Sequence, residues 1–234
     1  KRFLKSDIKL ISTLVDITNY ITTDYCRPLH VFDFDKIKGD ITIRHSKKGE
    51  KFTGLDGEGY ILDDNMIVIC DDSGVISLAG ILGGLSTACD HNTKNVLIES
   101  AYFIPDSIAS TGRKLNIQSD ARYRFERGID PESVTDGLEI ASEMIIKECG
   151  GEASNIISDS VEINSSNFIE IEKTYFIEML GVEISEKFIE EKFQKLGCKV
   201  KKNERMFNVE PPSWRGDLKI KEDLVEEIAR LYGL

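Results

Sequence analysis

From residue 12 to about residue 104 the apolar positions fall in short runs cut by Gly, Asp and Asn. On that punctuation "ITIRHS", "GYILDD", "MIVICDD", "VISLAGI" and "NVLIES" read as short β-strands. "LDGEGYIL" sets Asp-Gly between two β-prone runs, which predicts a hairpin turn. The period then changes. Residues 131–149, "PESVTDGLEIASEMIIKEC", carry Val134, Leu138, Ile140, Ala141, Met144 and Ile145 at the spacing of an amphipathic helix, expected to start near Pro131 and stop at Gly150-Gly151.

In "SDSVEINSSNFIEIEK", residues 158–173, the periodicity weakens and Ser and Asn accumulate. A boundary is expected near residues 160–166, dividing a domain over 1–162 from a smaller one over 163–234. In the second part "TYFIEMLG" and "SEKFIEEKFQKLG" each end in Gly after an apolar stripe, predicting two short helices with glycine caps. "CKVKK" and "MFNVEPP" predict a strand pair that Pro211-Pro212 stop. "KEDLVEEIARLYG" predicts a last helix with Leu224, Val225, Ile228, Leu231 and Tyr232 as its buried stripe. The fold class is α+β: several short strands with flanking helices, then a small α+β domain.

Composition narrows the function. With 234 residues, 41% of them hydrophobic, the chain has material for one large or two modest cores. No apolar run approaches the ~20 residues of a membrane span, and "KRFLKSDIKL" offers neither a hydrophobic signal region nor an initiator Met. The expectation is a soluble chain, cut from a longer one and without a membrane partner. The five cysteines are scattered with no C-x-x-C spacing, which argues against a disulfide framework or a structural zinc site and fits a reducing cytosol. A net charge of −11 is the wrong sign for gripping a long nucleic-acid backbone, so any such contact is expected to be local. The local candidate is "RKLNIQSDARYRFER", residues 113–127, where Arg113, Lys114, Arg122, Arg124 and Arg127 against Asp120 and Glu126 leave +3.

Familiar catalytic motifs are missing: there is no G-x-x-x-x-G-K-[ST] loop, G-x-S-x-G elbow or H-E-x-x-H helix. Arg215-Gly216-Asp217 is too short to carry an adhesion reading. Two residues stand out instead. His30 sits in an apolar stretch after Pro28, either as a satisfied, partly buried histidine or as a functional one. Glu99 interrupts an apolar strand, and it either turns to solvent or needs a partner, because a lone buried carboxylate is costly. Asp217, Asp223, Glu226 and Glu227 crowd the start of the last helix, where they form either a solvated face or a hard-cation site.

"LVDITNY", "PLHVFDFDKIKG", "LDG", "LAGILGG", "IESAYF" and "SDARYRFERGIDP", in this order, resemble the aminoacyl-tRNA editing domain in the β subunits of bacterial phenylalanyl-tRNA synthetases. "PPSWRGDLKIKEDLVEEIARLYGL" resembles the domain that follows it in those subunits. The resemblance covers nearly the whole chain, and the ordered set is far more specific than any one block. It implies hydrolysis of tyrosine mischarged on the tRNA for phenylalanine, by water and without a protein nucleophile.

By the same resemblance Glu99 would recognise the tyrosine hydroxyl, Ala121 would leave space for the ring, and Gly83 would let backbone approach the aminoacyl group. His30, Thr18 and Asn19 would surround the ester, with His30 positioning or polarising. Arg113, Arg122 and Arg124 would meet the tRNA end. Asp217, Asp223, Glu226 and Glu227 match a magnesium site shared with the α subunit. ATP is used by that subunit, in a heterotetramer of two α and two β. Two departures border the expected pocket: Ser119 stands where the family usually has Thr, and Arg122 where a small or polar residue is common. They keep open the alternative of a non-catalytic module for tRNA docking and subunit assembly.

Overall fold

The computed structural model describes residues 10–159 and 168–233. They fall into two compact units, which divide at Ile129 and Ile157, with Asp130–Glu132 belonging to the second. The boundary expected at residues 160–166 lies outside the described residues. Among those residues, no helix is long and apolar enough to cross a membrane.

The first unit opens with a helix where strands were expected. α1, Thr13–Asp24, is capped by Ser12, whose hydroxyl accepts the Val15 N–H at 3.4 Å. Its β-branched residues favour strand locally, yet Ile17 and Ile21 fall four apart and are both buried. Burial of that stripe decides the outcome over propensity. Eight strands follow among the described residues: β1 Leu29–Asp33, β2 Thr42–His45, β3 Lys51–Thr53, β4 Gly59–Ile61, β5 Ile67–Asp71, β6 Gly74–Leu78, β7 Leu82–Gly83 and β8 Val96–Ser100, of which β1 and β7 were not expected. Strands β2-β5-β6-β7 make an antiparallel sheet, β3 and β4 form the hairpin, and β1 pairs with β8 as a two-stranded ribbon. Gly57 in the Asp-Gly turn has φ +82, the conformation such a hairpin demands.

Three helices complete this unit: α2 Pro105–Leu115, α3 Asp120–Phe125 and α4 Val134–Cys149. The last begins after Ser133 rather than at Pro131. The ribbon separates two cores. Phe32 joins Phe52, Val68, Leu78, Phe103, Ile108 and Phe125 on one side, while Leu29 and Ile98 pack with Ile17, Ile21, Ala141 and Ile145 of α1 and α4 on the other.

The second unit contains β9 Ile169–Glu172, α5 Lys173–Leu180, α6 Glu186–Lys195, β10 Lys199–Lys202, β11 Met206–Glu210 and α7 Lys221–Tyr232. Its sheet has three antiparallel strands, in the order β10-β11-β9, rather than a pair. The additional strand is "IEIE", whose Ile169 and Ile171 are buried while Glu170 and Glu172 face out. Gly181 caps α5 at φ +70, as its position predicts. In α7, Leu224, Val225 and Ile228 are buried, but Tyr232 is exposed and meets Phe188 edge-on at 5.7 Å. Glu227 takes a place in the buried stripe instead.

Candidate functional site

Antiparallel pairing sets His30 opposite Glu99 and Phe32 opposite Leu97, so all four side chains share one face of the β1–β8 ribbon. Leu29 and Ile98 lie on the alternate face, against α1 and α4. The His30 ring stands edge-on to Phe32 with centroids 4.4 Å apart. It also lies close against β7: a Cβ added to Gly83 would come within 2.2 Å of His30 Cε1 and 2.6 Å of Nε2. Leu55, in the β3–β4 turn, would be 3.0 Å from that same Cβ. The site is therefore a histidine and a carboxyl facing each other across a ribbon, with bare backbone on one side.

The electrostatics of this pair are inverted relative to solvent. Burial pulls His30 down to about 4 and pushes Glu99 up to about 7. Neither shift is relieved by a partner. His30 Nε2 is buried without a hydrogen bond, while Glu99 is half-buried, and burial alone acts on its carboxyl. Buried polar groups in folded proteins are nearly always paired, so the unpartnered His30 Nε2 beside a half-buried carboxyl makes this face the candidate ligand site.

Ser119 and Ala121 reach this neighbourhood through α3. Ser119 caps the helix, accepting the Arg122 N–H at 3.1 Å and donating to the Ile81 carbonyl at 2.6 Å. Ile81 lies two residues before Gly83, so the hydroxyl ties the start of α3 to the β6–β7 turn. Both of its hydrogen-bonding roles are thereby used within the protein. Ala121 packs against the main core. Thr18 is buried on α1 and donates to the Val15 carbonyl at 2.9 Å, while the Asn19 carbonyl accepts from Thr23. Among the described residues no hydrogen bond joins Thr18 or Asn19 to His30 or Glu99.

The expectation that Arg122 meets the tRNA end does not fit its place in the fold. Only 6% exposed, it donates to the Ile117 carbonyl at 2.5 Å and to Glu126 at 3.0 Å. Its guanidinium lies over Gly112 of α2, where a Cβ would stand 2.2 Å from Nε. Arg122 is an internal clamp between α2 and α3. Lys114 is paired with Asp63, and Arg124 with Asp120 on its own helix. Arg127 has a different partner, missed in sequence: its guanidinium carbon sits 3.7 Å over the Tyr123 ring. The i,i+4 spacing of Tyr and Arg was the available signal.

The acidic group of the second unit is also internally engaged. Arg215 grips Asp217 through two nitrogens, at 2.8 and 2.6 Å, and reaches Glu227 at 2.8 Å. Arg230 holds the other Glu227 oxygen at 2.5 Å. Burial pushes the Glu227 carboxyl up, but the Arg215 and Arg230 guanidiniums outweigh it and leave the group below its usual range. Asp223 accepts the Lys219 and Ile220 N–H groups at 2.7 and 2.9 Å, closing the first turn of α7, and Glu226 is exposed. The described residues hold no group of three or more His, Cys, Asp or Glu side chains placed to bind a metal. In this chain by itself the four carboxylates do not form a magnesium donor set.

Known proteins give this geometry its context. Residues 1–150 match the B3/4 domain family and residues 169–234 the tRNA synthetase B5 domain. The phenylalanine–tRNA ligase β subunit of Paramagnetospirillum magneticum is 47% identical over 226 residues, 97% of this chain and 28% of that protein. Those of Brucella abortus and Bradyrhizobium diazoefficiens are 43% identical over 97% and 100% of this chain. This chain thus spans less than a third of the length of these relatives. An N-terminal fragment of the phenylalanyl-tRNA synthetase β subunit from Pyrococcus horikoshii aligns over 94% of this chain and 65% of that one, at 18% identity and a TM-score of 0.45. With a family match over residues 1–150, well over half of its length, the chain belongs to the B3/4 domain family, and its residues 169–234 match the tRNA synthetase B5 domain.

Proposed function

We propose that this chain is the editing portion of a phenylalanine–tRNA ligase β subunit, and that its first unit hydrolyses tyrosine wrongly esterified to the tRNA for phenylalanine. The observation that carries this reading is the His30–Glu99 pair, desolvated and unpartnered on one face of the ribbon, against the bare backbone of Gly83. The similarity to phenylalanine–tRNA ligase β subunits supplies the substrate class.

The need for such a site is physical. An apolar pocket shaped for phenylalanine rejects the added hydroxyl of tyrosine by a factor of only about 10². A second site that rewards the hydroxyl supplies the remainder. Glu99 accepts a hydrogen bond from tyrosine, whereas phenylalanine offers it none. Ala121 leaves room for the ring.

Water attacks the ester carbonyl, the bond to the ribose oxygen breaks, and tyrosine departs as a free acid while the ribose hydroxyl regains a proton. His30, held neutral at pH 7, orients the water or polarises the ester through Nε2; its lowered pKa makes it a weak general base. Thr18 and Asn19 are the further candidates for contact with the ester. Synthetic chemistry and ATP use belong to the α subunit of a two-α, two-β assembly. Asp217, Asp223, Glu226 and Glu227 would hold magnesium only together with groups from the α subunit, and the hydrolytic step does not use it.

The test is deacylation of tyrosyl-tRNA carrying the phenylalanine anticodon, by the full-length subunit in its complex with the α subunit. Glu99→Ala and His30→Ala should each reduce hydrolysis at least tenfold. No hydrolysis by the unmodified complex would defeat the proposal and leave the docking module as the reading.

A further inference from the structure

Tyr123 stands on the outward face of α3, 56% exposed, while Ala121, Arg122 and Phe125 of the same helix face inward. Arg127 covers one side of the ring at 3.7 Å, and its own side chain is 55% exposed. This is not a free-swinging surface arginine. Its NH1 donates to the Tyr123 carbonyl at 2.9 Å and to Glu126 Oε1 at 2.8 Å, and Glu126 Oε2 is held in turn by the buried Arg122 at 3.0 Å. A buried cation thus fixes a carboxylate, which fixes an exposed guanidinium over an exposed ring.

The position of this pair gives it meaning. Ser119, four residues before Tyr123, bonds to Ile81 beside the β7 backbone that contacts His30. Four helical residues advance about 6 Å, so the platform lies one turn along from the site's edge. Flat aromatic and guanidinium surfaces stack unpaired bases without demanding a sequence, and the cation adds attraction for the phosphate chain. In a chain of net charge −11, binding of nucleic acid must rely on a few such local contacts.

We infer that Tyr123 and Arg127 form a stacking platform for an unpaired base in the 3′ end of the RNA whose terminal ester enters the His30–Glu99 site. The inference rests on the proposed editing function for the identity of the RNA. It assigns to this pair the task of holding the strand, with no part in the hydrolytic step.

The experiment measures deacylation of tyrosyl-tRNA by the full-length subunit in its synthetase complex. Tyr123→Leu, which keeps bulk but removes the π face, should raise KM about tenfold with kcat unchanged. Tyr123→Phe and Tyr123→Trp should restore the wild-type KM, and Arg127→Ala should raise it several-fold. Wild-type behaviour in Tyr123→Leu, a Tyr123→Phe variant as poor as Tyr123→Leu, or a loss confined to kcat would each overturn the platform.

A second readout does not require hydrolysis. Removing the unpaired 3′ end from uncharged tRNA should weaken binding to the wild-type complex severalfold more than it weakens binding to Tyr123→Leu. Equal sensitivity of both proteins to that trimming would also overturn it. Hydrolysis that is absent, or unaffected by Glu99→Ala, indicts the editing reading instead, and the trimming experiment still judges the platform.

Discussion

Arg122 rests directly on Gly112: a Cβ at that glycine would stand 2.2 Å from the arginine Nε and 2.4 Å from Cδ, so α2 and α3 meet through an absent side chain. The guanidinium cannot swing aside cheaply, because Ile117 and Glu126 hold it. Gly112→Ala should therefore destabilise the first unit by about 1–3 kcal/mol, as overpacking does. Arg122→Ala should relieve that clash in the double variant, although it leaves the Ile117 carbonyl unpaired. A double-mutant cycle from urea unfolding would show the coupling, and additive losses would contradict the contact.

Gly83→Ala tests the site directly. The backbone of Gly83 is not in the left-handed region, so alanine fits its conformation, but the new methyl would sit where the His30 ring lies. Hydrolysis of tyrosyl-tRNA should fall by tenfold or more, and the crowding should cost about 1–3 kcal/mol of stability. Retained activity would mean that His30 does not work from this position.

The inverted pair predicts opposing pH dependences. His30 titrates near 4 in the folded chain against 6.5 ordinarily, so between those values the unfolded chain carries the additional proton and stability rises with pH. Glu99 titrates near 7 against 4.5, so there the folded chain holds the proton and stability falls as pH rises. The two slopes offset one another from about 4.5 to 6.5. Glu99→Gln should unmask the rise and His30→Phe the fall, both visible in urea melts across pH 4 to 8. Preference for tyrosyl over phenylalanyl ester should also grow as pH passes 7, because ionised Glu99 is the better acceptor.

Glu227 lies almost wholly buried between two guanidiniums. Glu227→Ala should cost the second unit about 1–3 kcal/mol, since it takes a partner from both Arg215 and Arg230, although Asp217 still holds Arg215. Calorimetry of this chain should detect no tight magnesium binding. Tight binding would require Asp217 and Glu227 to leave Arg215.

Much of this organisation was legible in the sequence. The strands of the first unit announce themselves through Gly, Asp and Asn punctuation, and α4, α5, α6 and α7 through apolar spacing. α1 was hidden by its β-branched composition, and β9 by the polar stretch preceding it; in both cases the deciding term was burial against partners distant in sequence. His30 and Glu99 could be singled out as polar residues in apolar runs. Their opposition across the ribbon depends on pairing register between residues 69 positions apart, which no local pattern states. Arg122 was misjudged because charge alone does not reveal that a glycine ten residues earlier makes room for it.

The ribbon has one further implication, concerning alignment. His30 and Leu29 are neighbours in sequence and look into different cores. Sliding β1 by a single residue would present leucine and valine where the histidine stands and bury the imidazole beneath α1 and α4. Five residue pairs hold the strands in phase, from Leu29 with Ser100 to Asp33 with Val96. Beyond them Arg27 fastens one end to the Ala101 carbonyl and Ser133, and Thr93 donates to Asp33 at the other. A site proposed to catch translation errors thus tolerates none in its own spelling frame, and the anchors at both ends of β1 keep that frame.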